Sequence, residues 1–211
     1  FQAALQVDPR SQDALRFLGL TYSDKGDRAN AERAFQRAIE ADAKDPWPIM
    51  IRAIAAARDG ERARALADAT RALELVGPQS SDGFLVRSAV QYFLEDIDKA
   101  RLDAENAVRL NAENGQAYRM LGRIYLKLGL IDEAQKSLVT AARLLPNDAV
   151  VLLEQGLVSL ARRDWPTAQR QLTESLQINE AYSEVLWARG QAFEGLGNTA
   201  AAIADYRAAE T

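Results

Sequence analysis

Alanine recurs at positions 31, 65, 100, 134, 168 and 202, a spacing of 34 or 35 residues that runs through the whole chain. No other feature constrains the fold as strongly, because a unit of that length cannot bury its own apolar face and must stack on its neighbours. Two further columns keep the same period. Twelve residues before each alanine stands a small residue (Gly19, Ala53, Ser88, Gly122, Gly156, Gly190), and seven after it stands another (Ala38, Ala72, Ala107, Ala141, Ser175, Ala209).

Between the first two columns the apolar residues follow a helical period and end in a turn signal, as in LGLTYSDKGDRANA (18–31) and LGRIYLKLGLIDEA (121–134). Short breakers, VDPRS (7–11), VGPQS (76–80) and LPND (145–148), come after the third column. Each unit therefore reads as two helices joined by a tight turn, and no strand is expected. Glycine inside a helix costs up to about 1 kcal/mol relative to alanine. Its recurrence at one column predicts that the two antiparallel helices of a unit approach closely there, with neighbouring Leu, Ile and Tyr side chains interdigitating.

Two other columns vary together. One reads Leu18, Arg52, Arg87, Leu121, Gln155, Arg189, and the column sixteen residues later reads Ala34, Asp68, Asp103, Ser137, Gln171, Asp205. Arginine occurs in the same three units as aspartate. A guanidinium at a helix–helix contact is costly unless a carboxylate pairs with it, so three ion pairs are expected: Arg52–Asp68, Arg87–Asp103 and Arg189–Asp205.

These patterns resemble the tetratricopeptide repeat (TPR) family. LGLTY…A…F…A at 18–38, YRMLGRIY…A…A…P at 118–146 and ARGQAF…A…Y…A at 188–209 follow its order of large apolar, Gly, aromatic, Ala, aromatic, Ala and Pro. The resemblance implies an all-α fold, a right-handed α-solenoid or superhelix of tandem helix-turn-helix units. It divides 1–211 into a single array, with the second helix of a truncated repeat at 1–11 and repeats at about 12–45, 46–80, 81–114, 115–148, 149–182 and 183–211. Ala56, Gln91 and Ser159 depart from the motif at the aromatic column, and Glu95 and Arg163 at the turn glycine. The chain opens at Phe1 inside a helical pattern, so it is expected to be a piece of a longer protein.

Composition narrows the function. The chain has no cysteine and no histidine, which removes disulfides, thiol nucleophiles, histidine bases and the usual zinc ligand sets. No Gly-rich phosphate loop, metal constellation or nucleophile–base pair is present, so no catalytic residue, cofactor or metal is expected and the chain reads as non-enzymatic. A net charge of −4 with acids and bases interspersed gives no long-range pull toward nucleic acid. No apolar run approaches the ~18 residues of a membrane span, so membrane insertion is not expected. The lack of cysteine fits a reducing cytosol or a periplasm alike, and the Arg-, Ala- and Asp-rich composition points toward a bacterial source.

The family's geometry implies a concave surface lined by the first helices, bearing Arg16, Leu20, Met50, Ile54, Leu85, Ala89, Tyr92, Arg119, Arg123, Leu153, Leu157, Leu160, Trp187 and Gln191. Arg119, Arg123 and Lys127 recur every fourth residue and form a basic stripe. Two readings stand side by side: a groove that takes a peptide or helical segment of a protein partner, anchored by an acidic group near the stripe, or leucines packed on the next repeat beneath a solvated basic face. The resemblance also allows a structural spacer or assembly arm of a larger complex, such as a bacterial envelope or secretion machine, and a regulatory array attached to an enzyme. The asparagines of the clamp that grips heat-shock chaperone tails are missing from these faces. Trp47 in KDPWP (44–48), with Asp45 as cap and Pro46 as helix start, reads as packed on the preceding repeat or as an exposed anchor. Trp165 reads as core between repeats. Ile203 and Tyr206 lie on a last helix with nothing after it, so end-to-end association of copies through uncapped terminal helices is a further expectation.

Overall fold

The computed structural model describes residues 2–179 and 183–210, with side chains from residue 5 onward. Thirteen α-helices and no strand occur among the described residues. The fold is all-α, as expected. The chain forms two compact units, Phe1–Asn111 and Ala112–Thr211. The first holds α1 (Gln2–Val7), α2 (Gln12–Asp24), α3 (Arg28–Ala41), α4 (Trp47–Arg58), α5 (Arg62–Val76), α6 (Ser81–Phe93) and α7 (Ile97–Leu110). The second holds α8 (Gly115–Lys127), α9 (Ile131–Leu144), α10 (Ala149–Ala161), α11 (Trp165–Ile178), α12 (Ser183–Gly195) and α13 (Thr199–Ala209).

From α2 onward the helices pair as hairpins: α2 with α3, α4 with α5 and α6 with α7 in the first unit, and α8 with α9, α10 with α11 and α12 with α13 in the second. Within each unit, successive first helices touch (α2 and α4, α4 and α6; α8 and α10, α10 and α12), whereas successive second helices keep their backbones farther apart, α5 reaching α3 through Arg64 Nη2, which donates to Glu32 Oε1 at 2.7 Å. Each unit therefore curves with its first helices on the inner side. Side chains of Ser11, Asp27, Ser80, Asn114, Asp148, Asp164 and Asn198 accept hydrogen bonds from the backbone of the first helical turn that follows them, which satisfies donors that a helix start otherwise leaves open.

All six members of the alanine column are buried. At the small-residue column the structure corrects the expected backbone contact. A Cβ placed on Gly19, Gly122 or Gly156 would lie 2.5–2.6 Å from the Phe35 ring, Leu138 Cγ or Leu172 Cγ, and one on Gly190 would collide with the Tyr206 ring. Each glycine is thus a socket for a large side chain sixteen residues later on the second helix. Where the column carries Ala53 or Ser88 instead, the residue sixteen on is Ala69 or Ala104. The volume lost on one helix is returned by the other, which keeps the pair at interior packing density.

The turn inside every hairpin repeats one bond. The backbone N–H of Asp27, Glu61, Asp96, Leu130, Asp164 and Asn198 donates to the carbonyl of the residue five before it, at 2.8–2.9 Å. Closing that bond requires a left-handed residue just ahead of the donor, and Gly26, Gly60, Gly129 and Gly197 supply it with φ of +72° to +78°. Glu95 and Arg163 hold the same conformation at φ +62° and +59° despite their side chains.

All three expected ion pairs form. Arg52, Arg87 and Arg189 each direct Nε and Nη2 to the two carboxylate oxygens of Asp68, Asp103 and Asp205, at 2.6–2.8 Å. Arg52 further donates to Glu32 and Gln36 across the hairpin boundary. The Asp103 partnership holds the Arg87 guanidinium above its ordinary pKa against the opposing effect of burial.

Two expectations about tryptophan are also decided. Trp165 packs its indole against Gly195 of α12, so it does join neighbouring hairpins. Trp47 opens its helix with its N–H donating to Asp45 Oδ1 at 3.0 Å, and its side chain is 49% exposed, not packed away. Pro48, one residue on, takes the buried place instead.

Candidate protein-interaction surface

The residues expected to line the inner surface divide by burial. In the first unit Arg16, Leu20, Ile54, Leu85 and Tyr92 are partly buried and retain some surface. Arg16 bridges to Asp13 at 2.8 Å and lies over the Phe17 ring, while Tyr92 meets Phe93 edge-on. Met50 and Ala89 are corrections. Met50 is 2% exposed and belongs to a cluster with Ile49, Ala72 and Val86, so the next first helix covers it. Ala89 is buried as well.

In the second unit Arg123, Leu157 and Leu160 are partly buried and Lys127 and Gln191 exposed. Leu153 is the third correction: at 2% exposure it lies in a cluster closed by Val185 and Ala188 of α12. Arg16, Met50, Leu85, Arg119, Leu153 and Trp187 occupy one column of the repeat. The next first helix covers Met50, Arg119 and Leu153, through Val86, Glu154 and Val185, whereas Leu85 stays partly open. Trp187 has no such cover among the described residues and is 52% exposed. Its indole lies 4.6 Å from the Tyr206 ring, centroid to centroid, and Tyr206 is itself seated on Gly190. The Tyr206 hydroxyl donates to Glu194 Oε2 at 2.8 Å; desolvation, followed by this carboxylate, pushes the phenol pKa up to about 12. The tryptophan is thus held by a ring that stays protonated at any physiological pH. Beside it, Leu160, Ala161, Trp165, Gln191, Glu194 and Gly195 line an open hollow.

The basic stripe has a partner that column-by-column reading of the sequence missed. Arg119 Nη1 donates to Glu154 Oε1 of α10 at 3.2 Å, and its Nε donates to Gln116 at 2.8 Å. The Glu154 side chain is only 4% exposed, and burial, opposed by Arg119 and Arg123, raises its pKa to about 7. A signal was present. The Glu154 column otherwise reads Phe17, Ile51, Val86, Met120 and Ala188, so one acid stands in an apolar row.

Comparison with known proteins agrees with this architecture. Tetratricopeptide repeat models match residues 13–45, 85–149 and 153–211. Over 124 residues, 59% of the chain, the sequence is 26% identical to anaphase-promoting complex subunit 3 of Schizosaccharomyces pombe, and the match spans 18% of that relative's length. Among solved structures, the APC/C hetero-tetramer Cut9-Hcn1 superposes with a TM-score of 0.77 at 18% identity, covering 95% of this chain and 40% of that one. YrrB, described as a TPR protein with an unusual peptide-binding site, superposes with a TM-score of 0.56 at 25% identity, covering 83% of this chain and 90% of that one. With repeat models matched over more than half of its residues and hairpins that share one turn, one packing rule and one period, the chain belongs to the tetratricopeptide repeat family.

Proposed function

We propose that this chain is a non-enzymatic interaction scaffold that binds an extended or helical peptide segment of a protein partner along the inner faces of its first helices. TPR arrays are typically protein–protein interaction scaffolds and generally non-catalytic. The observation that carries the reading is the set of apolar side chains that the first helices leave partly open, Leu20, Leu85 and Tyr92 in one unit and Leu157 and Leu160 in the other. They recur at helical spacing along α6 and α10, the pattern with which an inner face takes up the apolar side of a peptide or helix. The peptide site described for YrrB lends support from a relative of the same fold.

Selection of peptides from a random display library against this chain tests the reading. Enriched peptides are expected to lose at least about tenfold in affinity on Leu85→Asp or Leu157→Asp, a hot-spot-sized effect, with the helical circular dichroism retained. The reading fails if no sequence is enriched, or if enriched peptides bind both folded variants as tightly as the parent.

A further inference from the structure

Glu154 is the charged exception in an apolar column, yet the contact that should compensate for its burial is weak. Its Oε1 accepts one bond of 3.2 Å from Arg119, and its Oε2 is buried without any hydrogen-bond partner. The scaffold arginines show what a completed pair looks like in this chain: two parallel bonds of 2.6–2.8 Å to both oxygens of one aspartate. Arg119 instead splits its donors between Gln116 and Glu154, and its side chain keeps about a fifth of its surface in solvent on the inner side of the second unit. A guanidinium binds a carboxylate best through two prongs. Arg119 and Glu154 therefore form a pair in which each partner is half used, beside two more cations, Arg123 and Lys127, at successive turns of α8.

We infer that Glu154 is a built-in competitor, holding the place on Arg119 that a carboxylate from an acidic segment of the protein partner takes with better geometry. The inference rests on the peptide-binding reading above and narrows the partner to one with acidic side chains. Glu154 sets the threshold: a carboxylate that makes one long bond does not displace it, whereas one that offers both oxygens to the Arg119 guanidinium does.

The test uses fluorescence anisotropy with two labelled peptides of identical leucine pattern, one with glutamate and one with glutamine at every polar position. Both are titrated into wild type, Glu154→Gln, Glu154→Met and Arg119→Gln, with circular dichroism melts of each protein. Glu154→Gln is expected to bind the glutamate peptide about tenfold tighter, the scale of one charge-assisted pair, and the glutamine peptide unchanged. Glu154→Met, which restores the residue type of Met120, is expected to do the same should the amide find a new bond to Arg119. Arg119→Gln is expected to abolish the preference for glutamate. The inference is overturned if folded Glu154 variants keep the wild-type ratio of the two affinities, or if Arg119→Gln retains the preference. Binding of both peptides with equal strength to all four proteins removes the competitor and leaves the interaction reading standing. Absence of binding to wild type and both Glu154 variants counts against both.

Discussion

Arg189 of α12 and Asp205 of α13 meet through two parallel bonds of 2.7 Å each, tying the two helices of one hairpin at a point where other hairpins of the same chain have Leu18 and Ala34 or Leu121 and Ser137. The apolar and ionic solutions are interchangeable by position but not by halves. Removing one member leaves a largely buried charge without its counter-ion, which typically costs about 3–5 kcal/mol. Asp205→Ala is therefore expected to destabilise by about 3 kcal/mol, and Arg189→Leu combined with Asp205→Ala to return to within about 1 kcal/mol of wild type. Urea denaturation of the parent, both single variants and the double variant checks this; additive losses would refute it.

Gly122 and Leu138 make the same argument in volume. A methyl group on Gly122 points into Leu138 Cγ at 2.5 Å, so Gly122→Ala overpacks the joint even though alanine favours the helix, and a net loss of about 1–2 kcal/mol is expected. Leu138→Ala alone opens a cavity costing about 3 kcal/mol. The double variant recreates the Ala53–Ala69 arrangement of the second hairpin, and its loss is expected to fall short of the sum by more than about 1 kcal/mol. A coupling energy of zero in the thermodynamic cycle would show that the two residues do not share a socket.

Arg163 occupies the left-handed turn position at φ +59°, a conformation that costs a side-chain-bearing residue roughly 1–2 kcal/mol. Glycine relieves that strain while adding backbone entropy to the unfolded chain, so Arg163→Gly is expected to stabilise by about 0.5–1 kcal/mol. Lys25→Gly is the control. Lys25 has φ −83°, and glycine there gains nothing and lowers the melting temperature.

Glu154 makes stability depend on pH. Its pKa rises from 4.5 to about 7 on folding, so between these values the folded protein binds a proton that the unfolded chain has released. The contribution is fully present below about pH 4.5 and is lost as pH rises through 7, by about 3 kcal/mol in all. Denaturation at a series of pH values from 5 to 8 is expected to show a falling component in wild type that is absent from Glu154→Gln. Parallel curves for the two proteins would exclude Glu154 as its source.

What the sequence made legible was whatever repeats within one hairpin. The period, the turns and the Arg–Asp pairs all couple residues at fixed offsets, so the period and the turns are reported by all six copies of the motif and the ion pair by three. The glycine column was visible for the same reason, although its meaning as a socket emerged only from the large residues sixteen positions on. Contacts from one hairpin to the next were harder to read. Met50 and Leu153 look like surface leucine and methionine until Val86 and Val185 are seen above them, and Arg119 looks unpaired until Glu154 is placed on the neighbouring first helix. Such contacts depend on how far one hairpin rotates on the next, and that rotation is a sum of many side-chain volumes with no column of its own.

The sockets and the ion pairs also set the register in which the chain can fold. Were a first helix to take the second helix of the following repeat, Arg87 would face Ser137, Asp68 would face Leu18, and Leu138 would press on Ser88, which has no room vacated for it. Near-identical repeats in tandem are prone to this kind of mispairing. The second and third hairpins share one lock, Arg over Asp and a small residue over Ala, but their neighbours do not. A slip along the whole chain therefore still strands charge and bulk on either side of them and is driven back toward the alignment that satisfies every hairpin at once.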